Sequence, residues 1–160
     1  MAKLQAARGS QNVQVAEFVA SFDDTMVDTA GALKTMSAVT AGDIFKAISL
    51  PPNVEIIGGE LQVEVQGVGP SAYTVAVGRS ADGAAFTEAS LLSATSVLTA
   101  VGTRTALTLT DADVNPGFQS AVPNDIFVQI VRSVAVATAG KFVVRVMFVQ
   151  RGKIDEANPS

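Results

Sequence analysis

The stretch Val54-Glu55-Ile56-Ile57-Gly58-Gly59-Glu60-Leu61-Gln62-Val63-Glu64-Val65-Gln66-Gly67 constrains the fold most strongly. From Leu61 to Gln66 apolar and polar residues alternate strictly, a pattern that only a half-buried β-strand satisfies. Upstream the phase is different. Val54 and Ile56 occupy even positions, whereas Ile57, Leu61, Val63 and Val65 occupy odd ones. A one-residue slip moves every side chain to the other face of a sheet. The chain must absorb that slip at Ile56-Ile57-Gly58-Gly59, where glycine tolerates the backbone of a bulge or sharp bend. The stretch therefore predicts one long, bent strand.

Other segments repeat the theme. "VQVAEFVASF" (13–22) reads as a strand in which Val13 and Val15 share one face and Ala16, Phe18, Ala20 and Phe22 the other, a phase change that predicts a bulge or a change of partner. "DIFKAISLP" sets Ile44, Lys46 and Ile48 against Phe45, Ala47 and Ser49, and Pro51-Pro52-Asn53 stops it because proline cannot donate to a ladder. Tyr73, Val75 and Val77 share a face, as do Leu107 and Leu109 in "RTALTLTDA". "DIFVQIVRS" and "KFVVRVMFVQR" are the strongest strand patterns. Residues 23–42 mix signals and predict a long loop with a helical turn near Ala32–Met36. A second short helical turn is expected at Glu88–Ala94. The sum is about seven or eight strands, turn-rich connections and almost no helix, which is the signature of an all-β sandwich or barrel.

The expected organisation is a polar arm (1–11), one β-domain (12–150) and a polar tail (151–160). At 160 residues the chain is long enough for a sizeable core without staples. It contains no cysteine and no histidine, which removes disulfides, thiolate metal sites and the Ser-His-Asp and Cys-His nucleophilic schemes. Net charge is −4, a poor balance for gripping a phosphate backbone, so no nucleic-acid partner is expected. No apolar run is long enough to span a bilayer, and "MAKLQAARGSQNV" lacks the apolar core of a secretory signal.

Only 16% of residues are charged, against a usual ~25%. The surface must carry many small neutral groups, which suits packing against another protein and equally a plain stable domain. The last strand sharpens the choice. Phe142, Val144, Val146 and Phe148 form one apolar face, while the opposite face carries Val143, Arg145, Met147, Val149 and Arg151. A sandwich strand should have one wet side. Either a loop such as 23–42 covers that second face, or the face contacts another subunit, where Met and Arg are favoured.

Chemistry is sparse. A Ser-Lys arrangement with Lys34 or Lys46 has nothing to frame it. Asp23, Asp24 and Asp28 read as solvated loop carboxylates. "DADVNPG" matches an EF-hand loop at Asp111, Asp113 and Asn115, but Pro116 takes the glycine position and Val122 the glutamate position, so an Asx-rich turn is the expectation. "GVGPSA" lacks the helix and lysine of a phosphate-binding loop. No catalytic residue, metal site or cofactor is predicted. Glycan binding on aromatic platforms is weakened by the lack of Trp and the single Tyr, leaving Phe86 and Phe118.

The order "GDIFKAISLPPNVEIIGGELQVE", then "YTVAVGRSADGAAF", then "GKFVVRVMFV", over residues 42–150, resembles the head decoration, or cement, proteins of tailed bacteriophages. The resemblance implies a jelly-roll-like antiparallel β-sandwich and no enzyme activity. It implies a virion protein, made in the host cytoplasm, that sits on the capsid exterior and bridges major capsid protein subunits. A homo-oligomer is expected, trimer before dimer, with no membrane partner. The interface residues expected are Lys3, Leu4 and Arg8 on the arm and Val143, Arg145, Met147, Val149 and Arg151 on the last strand. A receptor- or glycan-binding, lectin-like sandwich is the alternative.

Overall fold

A computed structural model describes residues 12–39, 42–51, 54–80, 91–109, 124–133 and 135–150. Its strands are β1 (Gln14–Ser21), β2 (Thr25–Val27), β3 (Leu33–Thr35), β4 (Asp43–Leu50), β5 (Val54–Val68), β6 (Tyr73–Ser80), β7 (Leu92–Ser96), β8 (Arg104–Ala106), β9 (Asn124–Arg132) and β10 (Ala139–Gln150). Among the described residues the helical structure is a single 3-10 turn, Met36–Ala38.

Two four-stranded sheets, ordered β1-β10-β5-β8 and β4-β9-β6-β7, are built from antiparallel pairs. Strands distant in sequence lie side by side, as in a jelly-roll-like sandwich. The core lies between the sheets. One sheet contributes Phe18, Ala20, Ile56, Leu61, Val63, Phe142, Val144 and Val146, and the other contributes Phe45, Leu50, Tyr73, Val75, Val77, Ile126, Val128 and Ile130. Each fully buried large aliphatic or aromatic side chain stabilises the fold by ~1.5–3 kcal/mol of transfer free energy. Phe18 and Phe142 pack tilted, with ring centroids 6.3 Å apart, a favoured aromatic geometry.

Bulges set the phase of two strands, β5 and β4. On β5, Met147 faces Gly58 and Phe148 faces Ile56, so Ile57 is the extra residue and the slip falls where the double glycine placed it. The whole of β5 stays paired with β10, so the strand curls with one sheet rather than leaving it. A second shift leaves Glu64 extra, which turns Val65 out to solvent although it alternates in phase with Leu61 and Val63. On β4 the extra residue is Ala47; Phe45, Ile48 and Leu50 are buried as a result, instead of Ile44 with Ile48. The bulge expected in β1 is absent. Gln14 to Ser21 pair in unbroken register with Phe148 to Lys141, and Val15 simply faces outward.

Residues 23–39 are not an irregular loop. β2 and β3 form a hairpin, with Thr25 opposite Thr35 and Val27 opposite Leu33. The expected helical turn at Ala32–Met36 gives way to β3 because Asp28 organises the hairpin. Its carboxylate accepts from the N–H groups of Ala30 (2.9 Å) and Ala32 (2.8 Å), and Lys34 sits 3.2 Å from Asp43. The hairpin is joined to the β4 edge through an Asp28–Phe45 bridge and a Thr29 N–H to Ile44 C=O bond of 2.9 Å. Met36 and Val39 then plug the end of the core. Buried Arg132 holds that plug, donating Nε to the Val39 carbonyl at 3.0 Å and a second guanidinium N–H to Ala135. The helical turn expected at Glu88–Ala94 is strand from Leu92 onward, and its first part lies outside the described residues.

Two stability predictions follow from this packing. A Cβ on Gly59 would meet the Arg145 backbone carbonyl and lie 2.5 Å from Leu107 Cδ1, whereas one on Gly58 would meet only the mobile Met147 methyl, at 2.8 Å. Gly59→Ala is therefore expected to cost about 1–3 kcal/mol, as core overpacking does, and Gly58→Ala much less. Urea unfolding of both variants checks this, and equal losses would contradict it.

The second concerns Tyr73, the only tyrosine. Burial pushes its phenol above the ordinary value, with Arg132 opposing more weakly. A phenol raised in the folded state favours folding fully below its unfolded pKa of about 10, and that contribution is lost as pH climbs beyond it. Alkaline denaturation, followed by far-ultraviolet circular dichroism in both proteins, is expected to begin later and be shallower in Tyr73→Phe.

Candidate interaction surface

The outward face of the β1-β10-β5-β8 sheet combines charge and apolar area. Its centre is Arg145, flanked across the strands by Glu17 on β1 and Glu60 on β5. Arg145 Nε donates to Glu17 at 2.5 Å, and one terminal nitrogen donates to Glu60 at 3.0 Å and to Gln62 at 2.5 Å. The hydrogen bonds to Glu17 and then Glu60 raise the guanidinium pKa above its ordinary value, so Arg145 stays charged. Arg104 on β8 approaches Glu60 at 3.5 Å, and Lys141 pairs with Glu64 at 2.7 Å. Three cations and three carboxylates thus neutralise one another in a ladder across four strands. Glu55, further along β5, is also engaged.

Apolar residues flank the ladder. Val15, Met147 and Gly58 are aligned by register, and the Met147 methyl lies over Gly58, where a side chain would collide with it. Val15 is 55% exposed, Val19 46%, Met147 38% and Ile57, pushed out by its bulge, 40%. Val143 and Val149, both expected at the interface, are buried outside the core cluster and offer little area of their own. Exposure on this face belongs instead to Val15, Val19 and Ile57. The visible sequence cue was that β1 carries valine at alternate positions on its polar side, as β10 does. Lys3, Leu4, Arg8 and Arg151 lie outside the described residues.

The 23–39 segment is tied to β4, on the other sheet. That places the hairpin elsewhere than over the second face of β10, the cover suggested by one reading of the sequence.

Asp23 is exposed, as expected, whereas Asp24 and Asp28 are structural. Asp24 accepts the Ser21 N–H at 2.7 Å, and Asp28, largely buried rather than solvated, holds the hairpin. Lys34 is engaged by Asp28 and Asp43, and Lys46 by Asp125 at 2.7 Å. Among the described residues no group of three or more His, Cys, Asp or Glu side chains could hold a metal ion. Tyr73 is buried, and Phe86, Phe118 and the Asp111–Asp113–Asn115 loop lie outside the described residues.

Removing the hub of the ladder leaves Glu17 without its partner and Glu60 with Arg104 alone, at 3.5 Å. Arg145→Met is expected to lower the melting temperature more than Lys141→Met, with the gap narrowing in about 1 M salt, where the Debye length is about 3 Å. Equal melting temperatures for the two variants would show that the ladder has no hub.

No protein-family model and no curated protein matches the sequence. Solved structures do match, over nearly the whole chain. A chain from the capsid of Ralstonia phage GP4 is 20% identical at a TM-score of 0.58, the match covering 92% of this protein and 90% of that chain. One from the Cyanophage Pam1 capsid asymmetric unit is 17% identical at a TM-score of 0.59, covering 94% of each. One from the acid-stable capsid of Helicobacter pylori bacteriophage KHP30 is 14% identical at a TM-score of 0.53, covering 88% and 95%. At these identities the likeness is one of fold.

Proposed function

We propose that this protein is a structural component of a phage virion. It binds the outer surface of an icosahedral capsid and stabilises it by bridging major capsid protein subunits. The observation that carries the reading is the nearly end-to-end fold match to chains in three phage capsid structures. Because each match spans most of both chains, those chains are close to this one in length. The likeness is thus to whole chains rather than to a piece of a larger one.

The surface supports the same role. The β1-β10-β5-β8 face offers apolar area beside a ladder of paired charges, a composition suited to a protein partner. The mechanism is mass action. A protein that binds the assembled lattice and not its free subunits stabilises the lattice. Many weak copies on one shell add their free energies, and linked contacts raise avidity. Residues 1–11 act as an arm, with Lys3, Leu4 and Arg8 reaching a neighbouring subunit, and Arg151 extends the β10 contact. The protein assembles as a homo-oligomer, a trimer in preference to a dimer, at threefold junctions. It is made in the host cytoplasm and ends on the virion exterior.

Sedimentation tests the reading. Purified protein is mixed with expanded and with unexpanded phage shells lacking it, and pelleted. Co-pelleting with expanded shells alone is expected, together with greater resistance of the decorated shells to heat. A protein that stays in the supernatant with both would end the proposal. Deleting residues 2–11 is expected to reduce occupancy, and unchanged occupancy would remove the arm from the mechanism.

A further inference from the structure

We infer that residues 23–39 form a strap over one end of the sandwich that opens and recloses as a single unit while the two four-stranded sheets stay folded. The inference is independent of the capsid reading.

The segment is built mainly on itself. β2 and β3 pair with each other and join neither four-stranded sheet. The Asp28 N–H donates to the Ala32 carbonyl at 2.9 Å, and the Asp28 carboxylate accepts from Ala30 and Ala32. Met36 donates to the Asp24 carbonyl at 2.8 Å, which ties the 3-10 turn back to the start of the hairpin. A two-stranded hairpin does not hold by itself in water. Once the segment leaves the sandwich, these internal bonds are lost with the external ones, so the whole strap opens together.

Its hold on the sandwich is shallow. Within 23–39 only Met36 and Val39 are buried, whereas Val27 is 56% and Leu33 71% exposed. On the β4 side it is held by the Asp28–Phe45 bridge, the Thr29 N–H on the Ile44 carbonyl and the Lys34–Asp43 pair. At the plug, Arg132 Nε donates to the Val39 carbonyl, and the Ala137 N–H reaches the Ser37 carbonyl at 3.4 Å. Segments with few buried apolar contacts and exposed hydrogen bonds open at a lower free energy than the whole fold.

The residue that receives the plug lowers that free energy further. Arg132 is buried, and among the described residues it has no carboxylate partner; its guanidinium meets the Val39 and Ala135 carbonyls instead. Carbonyls replace the lost hydration of a buried cation only in part. When the strap lifts, the guanidinium regains water, which an apolar floor would not do.

Native-state hydrogen exchange of the full-length protein, followed in rising urea, tests this. The amides of Asp28, Thr29 and Met36 are expected to share one protection factor, at least about tenfold below that of the β10 amides, with a weaker urea dependence because less surface is exposed. Val39→Ala at the plug and Asp28→Ala at the hairpin perturb opposite ends of the strap. Each should lower the protection of all three amides by a common factor, about fivefold or more for Val39→Ala. Ile56 lies opposite Phe148, at the far end of β10 from the Gly140 carbonyl that holds Phe22 before the strap begins. Ile56→Val should lower protection in β10 and leave the three strap amides within about twofold. One protection level shared by strap and β10 would overturn the inference, as would a Val39→Ala effect confined to Met36 or an Ile56→Val effect equal in both places. If both strap variants fail to fold, the unaltered protein and Ile56→Val still decide between these outcomes.

Discussion

The structure depends on β10 being paired on both sides. Its residues from Lys141 to Phe148 bond to β1, and from Ala139 to Gln150 to β5. A strand held this way satisfies its backbone on both edges, so its side chains are free to serve two surfaces. Phe142, Val144, Val146 and Phe148 build the core, and the intervening Arg145 and Met147 shape the outer face. Neither set can move without the other. A register slip would bury Arg145 in the core and expose the phenylalanines, which is why so mixed a strand keeps one register.

Much of this was readable in the residues. The slip could be placed within Ile56-Ile57-Gly58-Gly59 because a doubled isoleucine and a doubled glycine sit at the phase change, and glycine tolerates a bulge or sharp bend; pairing with β10 shows Ile57 to be the extra residue. The slips at Ala47 and Glu64 could not be placed in this way. Neither is flanked by glycine, and each keeps a locally plausible alternation, so the shift shows only when the partner strand is seen. The reverse error arose in β1, where Val13 and Val15 implied a bulge although the strand is regular. An exposed valine and a buried one look the same in sequence. The β2–β3 hairpin was hidden for another reason. Its organiser is a single carboxylate, Asp28, acting on N–H groups two and four residues away and secured by contacts with β4. Tertiary support of that kind overrides a weak helical propensity.

The candidate surface was half legible. Arg145 and Met147 stood out because they interrupt or share an apolar face on the strongest strand. Their neighbours did not, since Glu17 lies more than a hundred residues away and Glu60 more than eighty, and nothing local ties them to Arg145. Val143 and Val149 show the opposite limit. Alternation assigns a side chain to a face but does not say whether its neighbours close over it, and here they do.

Paired charge and exposed apolar side chains share that face, and each bears differently on association with another surface. Long-range charge complementarity gives fast association and suppresses wrong partners. A face whose charges are spent internally gives up that steering. The apolar side chains that stay exposed beside those pairs, Val15, Val19, Met147 and Ile57, form a strip across three strands, β1, β10 and β5. Ile57, projected by a bulge rather than by plain alternation, fixes part of the strip's geometry. The same bulge that keeps β5 in phase with the core thus also sets the profile of the outer surface. Core phase and surface profile share one irregularity in the backbone.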